Sequence, residues 1–256
     1  MSGHSKWSSI KHQKGAADAK RGQLFTRLAR EIIVAVRAGG PSPEANFRLR
    51  LAVQKARDAN MPLDNIDRAI RKGSGEGGGA ALQEFILEGY GPGGTAILVQ
   101  VMTDNRLRAL QEVRNAFTRH GGSLGESGCV AWLFQSRGMI TVKGGDRDVE
   151  ELELKAIDAG AEDVQQSNGD IEIYTKPEET EAVRKALEAA GVHVDSSELS
   201  MVAKTLIKLE EKPGLQALKL LDRLEELDDV NGVYSNADFS PEILAKHEAE
   251  AQSASR

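Results

Sequence analysis

Apolar residues recur at helical spacing near the N-terminus and predict three short helices. The first apolar stripe comprises Leu24, Phe25, Leu28, Ile32 and Val36. The segment "AGGPSP" is expected to end this helix at Gly39, with Ser42 and Pro43 as the N-cap and first residue of the next helix. The stretch "NMPLDNIDRAIRKG" predicts the third helix. These elements predict a helical bundle domain over residues 23–76, preceded by a flexible basic arm at residues 1–22.

From residue 77 onward the pattern is typical of strands and longer helices. The stretches "LQEFILEGY" and "TAILVQVMT" predict two strands around the turn "GPGG", and "GCVAWLF" predicts another strand. A helix over residues 105–120 lies between them. The elements that would complete this sheet come much later, as a helix at 213–227 and a strand at 230–235. The pattern therefore predicts a discontinuous α/β domain of residues 77–136 and 205–240.

A self-contained unit lies between the two halves of that domain. Residues 137–204 alternate in the order βαββαβ, which is the ferredoxin-like pattern. A partial internal repeat supports it, because "KAIDAGAEDV" aligns with "KALEAAGVHV" thirty residues later. The predicted fold class is α+β with three domains: an N-terminal three-helix bundle, an α/β domain, and a ferredoxin-like domain inserted into it. Residues 245–256 are expected to form a disordered tail.

Charge is distributed very unevenly along the 256 residues. The formal net charge is −6, yet residues 1–72 hold 15 Lys and Arg against 6 Asp and Glu, a net charge of +9. Such asymmetry indicates a cationic binding end on an acidic body. The single cysteine excludes an intrachain disulfide, and no apolar run is long enough for a membrane span. No signal peptide is evident, so the cytoplasm is the expected compartment.

Motifs for catalysis are absent from the sequence. It contains no phosphate-binding loop, metalloprotease pair, nucleophile elbow or Cys pair, so we expect no enzyme activity and no cofactor. Cys129 is expected to be a small core residue. The acidic run Glu225–Asp229 could bind a divalent ion, although a solvated helix face is the favoured interpretation. The segment "TDNR" is expected to cap the helix that follows it.

The N-terminal cations are the strongest functional signal. Lysine and arginine bind phosphates by releasing counterions, which needs no fixed geometry, and flat side chains can stack on bases. Trp7 could instead fill the core of the helical bundle, and both interpretations stay open. The candidate nucleic-acid-binding residues are Lys6, Trp7, Lys11, His12, Lys14, Lys20, Arg21, Arg27 and Arg30.

Four separated motifs resemble one known family. They are "GHSKWSSIKHQKGAADAKRGQLFTRLAREI", "NMPLDNIDRAIRKGSG", "EGYGPGGTAILVQVMTDNR" and "HGGSLGESGCVAWLF". In this order they closely resemble the YebC/PmpR family, which includes the mitochondrial translational activator of cytochrome c oxidase. The resemblance runs from residue 2 to about residue 244. It implies three domains around a central cleft and no catalytic activity.

We therefore predict a non-enzymatic, nucleic-acid-binding regulator of gene expression. The resemblance implies a DNA-binding transcriptional regulator of the YebC type; the alternative is a ribosome- or rRNA-associated translation factor that relieves stalling, for example at proline runs. The expected partner is promoter DNA or ribosomal RNA, with the ribosome as a further partner and no membrane. Two other function classes stay open: an enzyme with an acidic metal site, and an adaptor that binds proteins. The oligomeric state is also open between a monomer and a weak dimer.

Overall fold

The computed structural model describes residues 18–76, 81–144, 149–167 and 169–254. In chain order the helices are α1 (Asp18–Gly39), α2 (Phe47–Asp58), α3 (Leu63–Gly73), α4 (Arg106–Arg119), α5 (Val149–Asp158), α6 (Thr180–Ala189), α7 (Glu211–Glu226) and α8 (Pro241–Ala254). The strands are β1 (Gln83–Tyr90), β2 (Ala96–Thr103), β3 (Ser123–Leu124), β4 (Phe134–Lys143), β5 (Asp163–Ser167), β6 (Asp170–Thr175), β7 (Ser196–Ala203), β8 (Ile207–Lys208), β9 (Val230–Ser235) and β10 (Ala237–Asp238).

The predicted α+β architecture with three domains is confirmed, and each domain has its own hydrophobic core. By spatial proximity, however, the described residues fall into two compact units. One unit holds the residues up to Leu82 together with Ser136–Met201, and the other holds Gln83–Gln135 and the residues from Val202 onward. The helical domain therefore shares a unit with the ferredoxin-like insertion.

The helical domain is built from α1, α2 and α3 around an aliphatic core. Leu28, Ile32, Leu49 and Ile66 are among its buried residues, whereas Leu24 of the predicted stripe is exposed. The predicted boundary of the arm is wrong, because α1 begins at Asp18 and residues 18–22 are helical. The rest of the predicted arm, residues 1–17, lies outside the described residues.

The start of the second helix also differs from the prediction. Helix α2 is capped by Asn46 instead of Ser42, since the Asn46 side chain accepts a hydrogen bond from the backbone N–H of Leu49 at 3.0 Å. The Asn46 amide also donates to the carbonyl oxygens of Ala35 and Gly40 at 2.7 and 2.8 Å. One buried side chain thus caps α2 and satisfies carbonyl groups at the end of α1, which a more exposed residue could not do.

The α/β domain contains a four-stranded sheet in the order β3-β1-β2-β9. Residues of α4 and α7, including Phe117 and Leu221, form its core with the buried face of the sheet. The expectation of a disordered tail at residues 245–256 is wrong up to Ala254, where α8 ends. Helix α8 contributes Ile243 and Leu244 to this core. The segment is helical because it packs on α7.

The inserted domain has the sheet order β5-β6-β4-β7, with α5 and α6 contributing to its core. This order and the βαββαβ sequence of elements are those of the predicted ferredoxin-like fold. The strands β5 and β6 pair antiparallel, with Ser167 opposite Asp170. None of the helices in the described ranges has both the length and the apolar character needed to cross a membrane.

Two helical glycines differ in their surroundings and give a matched test of the helical domain. A Cβ added at Gly73 would lie 2.6 Å from Val36 Cβ and 3.1 Å from the Ile33 carbonyl oxygen, whereas one at Gly22 would meet nothing within 4 Å. We expect Gly73→Ala to lower the free energy of unfolding by about 1–3 kcal/mol, because α1 and α3 must separate. Gly22→Ala should leave it unchanged or raise it by up to about 1 kcal/mol. Urea unfolding followed by circular dichroism measures both; equal midpoints would contradict the close α1–α3 packing.

Candidate nucleic-acid interface

The structure describes only part of the predicted binding set. Lys6, Trp7, Lys11, His12 and Lys14 lie outside the described residues. Lys20 is in the first turn of α1, and its side chain is also outside the described part. The predicted residues with described side chains are therefore all on α1.

Three arginines of α1 differ in their availability to a ligand. Arg21 is exposed, and within the described ranges its side chain has no hydrogen bond or ion pair. Arg27 and Arg30 are half-buried, and both already take part in interactions within the chain. Arg21 is thus the described member of the predicted set that is best placed to bind an external phosphate.

Other cations of the helical domain stabilise the protein itself. Arg50 donates from Nη1 to the carbonyl oxygens of Pro43 and Glu44, at 2.8 and 3.1 Å. Lys55 Nζ lies 3.0 Å from a carboxylate oxygen of Glu31 and 2.9 Å from one of Glu198 in the inserted domain. Lys55 therefore joins the helical domain to β7 instead of facing an outside ligand.

A cationic face that is not part of the predicted binding set lies on α3. Arg68, Arg71 and Lys72 are exposed, and their spacing of three and four residues places them on one side of the helix. Among the described residues, none of the three has an acidic partner. The spacing of these three residues could be seen in the sequence. Sequence alone, however, does not distinguish an available cation from one that is paired with carboxylates, as Lys55 is.

The predicted strand "GCVAWLF" is wrong, because most of it is a loop that a buried carboxylate holds in place. Residues 128–133, the clasped loop, lead through a 3-10 turn at Ala131–Leu133 into β4. The buried Glu88 of β1 accepts backbone N–H bonds from Gly128 at 2.6 Å and from Val130 and Ala131 at 2.8 Å. An apolar run can adopt this conformation because its backbone donors are satisfied by one side chain.

Burial and hydrogen bonding act in opposite directions on Glu88. Burial alone would raise the pKa of Glu88, but the three backbone N–H bonds outweigh it and lower this pKa below the ordinary value of 4.5. Cys129 is half-buried in the clasped loop, not in a strand core. Burial and the nearby Glu88 carboxylate raise the pKa of the Cys129 thiol, which favours its protonated form.

The remaining motifs have structural roles. Asn105 caps α4 by accepting a hydrogen bond from the Arg108 backbone N–H at 3.1 Å, so the predicted cap is confirmed. Asp229, at the end of the acidic run, is buried and accepts from Arg108 Nε and Nη2 at 3.1 and 2.7 Å. A solvated face was therefore the wrong interpretation of Asp229. Across the described ranges, no group of three or more His, Cys, Asp or Glu is arranged to hold a metal ion.

Comparison with known proteins identifies the family. The family model described as "TACO1/YebC protein N-terminal domain" matches residues 5–76. The model described as "TACO1/YebC second and third domain" matches residues 82–237. The chain belongs to the TACO1/YebC family. The resemblance found in the four sequence motifs is thus confirmed.

Bacterial members of the TACO1/YebC family are similar to this chain along almost their whole length. A probable transcriptional regulatory protein from Dehalococcoides mccartyi strain 195 is 61% identical over 98% of this chain and 100% of its own length. One from Geobacter sulfurreducens is 52% identical over 96% of this chain and 99% of its own length. The crystal structure of a conserved hypothetical protein from Aquifex aeolicus matches with a TM-score of 0.85 at 49% identity, covering 92% of this chain and 97% of that one.

The Glu88 carboxylate gives a test of the clasped loop. Glu88→Gln replaces one acceptor oxygen by an NH2 group that faces backbone N–H donors, so we expect the free energy of unfolding to fall by about 1–3 kcal/mol. The pKa of Glu88 is lowered in the folded protein. The stabilisation that ionised Glu88 gives to the folded protein is therefore complete above pH 4.5, and it is lost as the pH falls through the folded-state pKa.

Urea unfolding as a function of pH measures both effects. The matched control is Glu126→Gln, a change of the same chemistry at an exposed residue close to the same loop. If Glu88→Gln and Glu126→Gln shared one midpoint and one acid dependence, the clasp would be refuted.

Proposed function

We propose that this protein is a non-enzymatic regulator of transcription that binds nucleic acid through its N-terminal basic end. The observation that carries the proposal is the separation of charge, with a net +9 over residues 1–72 of a chain whose formal net charge is −6. The names of its relatives, probable transcriptional regulatory proteins, support the assignment to transcription. The proposal needs no cofactor, and the cytoplasm is the compartment in which we expect it to act.

The described cations support this proposal by their availability. A guanidinium or ammonium group without an acidic partner can neutralise a phosphate, and each neutralised phosphate releases condensed counterions from the nucleic acid. Arg21 on α1 and the face of Arg68, Arg71 and Lys72 on α3 are exposed and have no acidic partner in the described ranges. Arg50 and Lys55 are already engaged by the protein. The helical domain thus offers phosphate-binding groups that the fold does not itself use.

The proposed binding set joins these residues to the N-terminal segment. Arg27 and Arg30 are placed second within this set, because they are half-buried and already interact within the chain. The set comprises Lys6, Trp7, Lys11, His12, Lys14, Lys20, Arg21, Arg27 and Arg30, together with Arg68, Arg71 and Lys72.

Charge reversal at Lys11, Lys14, Lys20 and Arg21 tests the proposal. We expect binding to duplex promoter DNA to weaken, and the slope of log affinity against log salt to flatten by roughly one unit for each phosphate that is no longer bound. Fluorescence anisotropy over a salt series measures the affinity and the slope. The same titration with a structured RNA hairpin tests the alternative target, since tighter binding to the hairpin would favour a translation factor.

The control must change the net charge equally without touching the helical domain. Charge reversal at Arg114, Arg119, Lys143 and Lys185 does this, because all four are exposed and lie elsewhere in the chain. This control should leave the affinity and the salt slope nearly unchanged. The proposal fails if both quadruple variants bind like the unmodified protein, or if they weaken binding equally.

A further inference from the structure

Two aromatic side chains are exposed next to the buried Glu88 clasp. Trp132 of the clasped loop is 65% exposed and Tyr90 at the end of β1 is 42% exposed. Aromatic residues make up only 4% of the sequence. Large aromatic side chains gain most by burial, so their exposure on an ordered part of the structure indicates a surface that binds something.

The polar ends of both side chains are used within the protein. The Tyr90 hydroxyl donates to the Cys129 carbonyl oxygen at 3.0 Å, and Trp132 Nε1 donates to the same oxygen at 3.1 Å. The shared acceptor brings the two side chains together and fixes their orientation. What each ring leaves for a ligand is its flat face, not its hydrogen-bond donor.

The backbone that carries Trp132 is held from two sides. The Glu88 carboxylate binds the N–H groups of Gly128, Val130 and Ala131, as described above. On the other side, the backbone N–H of Lys204 donates to the Leu133 carbonyl oxygen at 2.8 Å. The clasped loop is therefore preorganised, and a ligand that stacks on Trp132 does not bear the entropic cost of ordering it.

A lysine with an uncompensated charge lies beside the tryptophan. Lys204 is exposed, and its Nζ donates to the Trp132 carbonyl oxygen at 2.9 Å. In the ranges that the structure describes, no carboxylate pairs with it. The site thus combines two aromatic faces with a neighbouring ammonium group, which complements a base attached to a phosphodiester backbone.

We propose that Trp132 and Tyr90 form a stacking site for unpaired bases of a single-stranded nucleic acid, with Lys204 attracting the adjacent phosphate. The inference rests on the proposed function, to which it adds a second binding region in the α/β domain that is specific for unpaired bases. Duplex bases present no free faces and are not ligands of this site.

The hydrogen bonds favour a base over a peptide. A proline-rich peptide that packs on aromatic rings also presents backbone carbonyl groups, which need donors from the binding surface. Trp132 Nε1 and the Tyr90 hydroxyl, the donors of the two aromatic side chains, are already bound to Cys129, and the third group of the site, Lys204 Nζ, carries a charge that suits a phosphate. Base stacking requires only the ring faces that remain.

Tryptophan fluorescence tests the proposal directly. The chain has two tryptophans, so Trp7→Phe in the full chain leaves Trp132 as the reporter. Titration with short oligouridylate and oligodeoxythymidylate should quench Trp132 emission, whereas a duplex of matched length should not. A stronger response to one of the two oligonucleotides would identify RNA or DNA as the preferred single strand.

Variants with Trp7 intact measure the contribution to affinity. Trp132→Leu should weaken oligonucleotide binding about 5- to 150-fold, the range expected when one base stack is removed. Lys204→Met should flatten the salt slope by about 0.7 unit, the contribution of one phosphate of a single strand. Leu107→Ala, which removes another exposed apolar side chain from the same unit, should change neither quantity. Circular dichroism confirms that each variant is folded.

The outcomes separate this inference from the proposed function. If the oligonucleotides bind without quenching Trp132, and Trp132→Leu binds as tightly as Leu107→Ala, the stacking site is refuted while the N-terminal binding region stands. Quenching by a proline-rich peptide but not by either oligonucleotide would also overturn it. Quenching that persists after charge reversal at Lys11, Lys14, Lys20 and Arg21 would support the stacking site independently of the N-terminal region.

Discussion

The Glu88 carboxylate is the interaction on which the conformation of the clasped loop in the α/β domain depends. By accepting three backbone N–H bonds from Gly128, Val130 and Ala131, it gives an apolar segment a defined non-strand conformation. A buried anion is costly unless such donors surround it, and here they also lower its pKa below the ordinary value. The exposed ring of Trp132 is a consequence, because the segment that carries it is fixed without being buried.

In the helical domain, the fold divides the cations into two groups. Lys55 connects α2 to Glu31 and to Glu198 of the inserted domain, and Arg50 supports the turn before α2. The exposed groups on α3 and Arg21 on α1 have no such role in the described ranges. Net charge therefore overstates the number of groups available to a phosphate, and intramolecular interactions determine which ones are available.

Periodicity was sufficient for the fold class and for most of the elements, whereas the errors arose where local side-chain chemistry or tertiary packing determines the conformation. The βαββαβ insertion and the strand at Val230–Ser235 follow from patterns of two and 3.6 residues, which burial directly enforces. The clasped loop does not, because it depends on the Glu88 side chain meeting backbone groups that are distant in sequence. The choice of Asn46 over Ser42 as the cap depends on the Asn46 amide also reaching the carbonyl groups of Ala35 and Gly40. Helix α8 was missed because its large apolar residues, Ile243 and Leu244, both lie near its start, and it is stabilised by packing on α7. At the candidate interface, Arg21 was predicted, whereas the availability of Arg68, Arg71 and Lys72 required coordinates.

The most direct measurement of the central claim, that the basic N-terminal end binds nucleic acid, is ultraviolet crosslinking in living cells. The crosslinked peptides are mapped by mass spectrometry and the attached nucleic acid is sequenced. We predict crosslinks within residues 1–37 and at α3, with a second group at the clasped loop that involves single-stranded segments. Crosslinks absent from residues 1–76, or confined to the inserted domain, would contradict it.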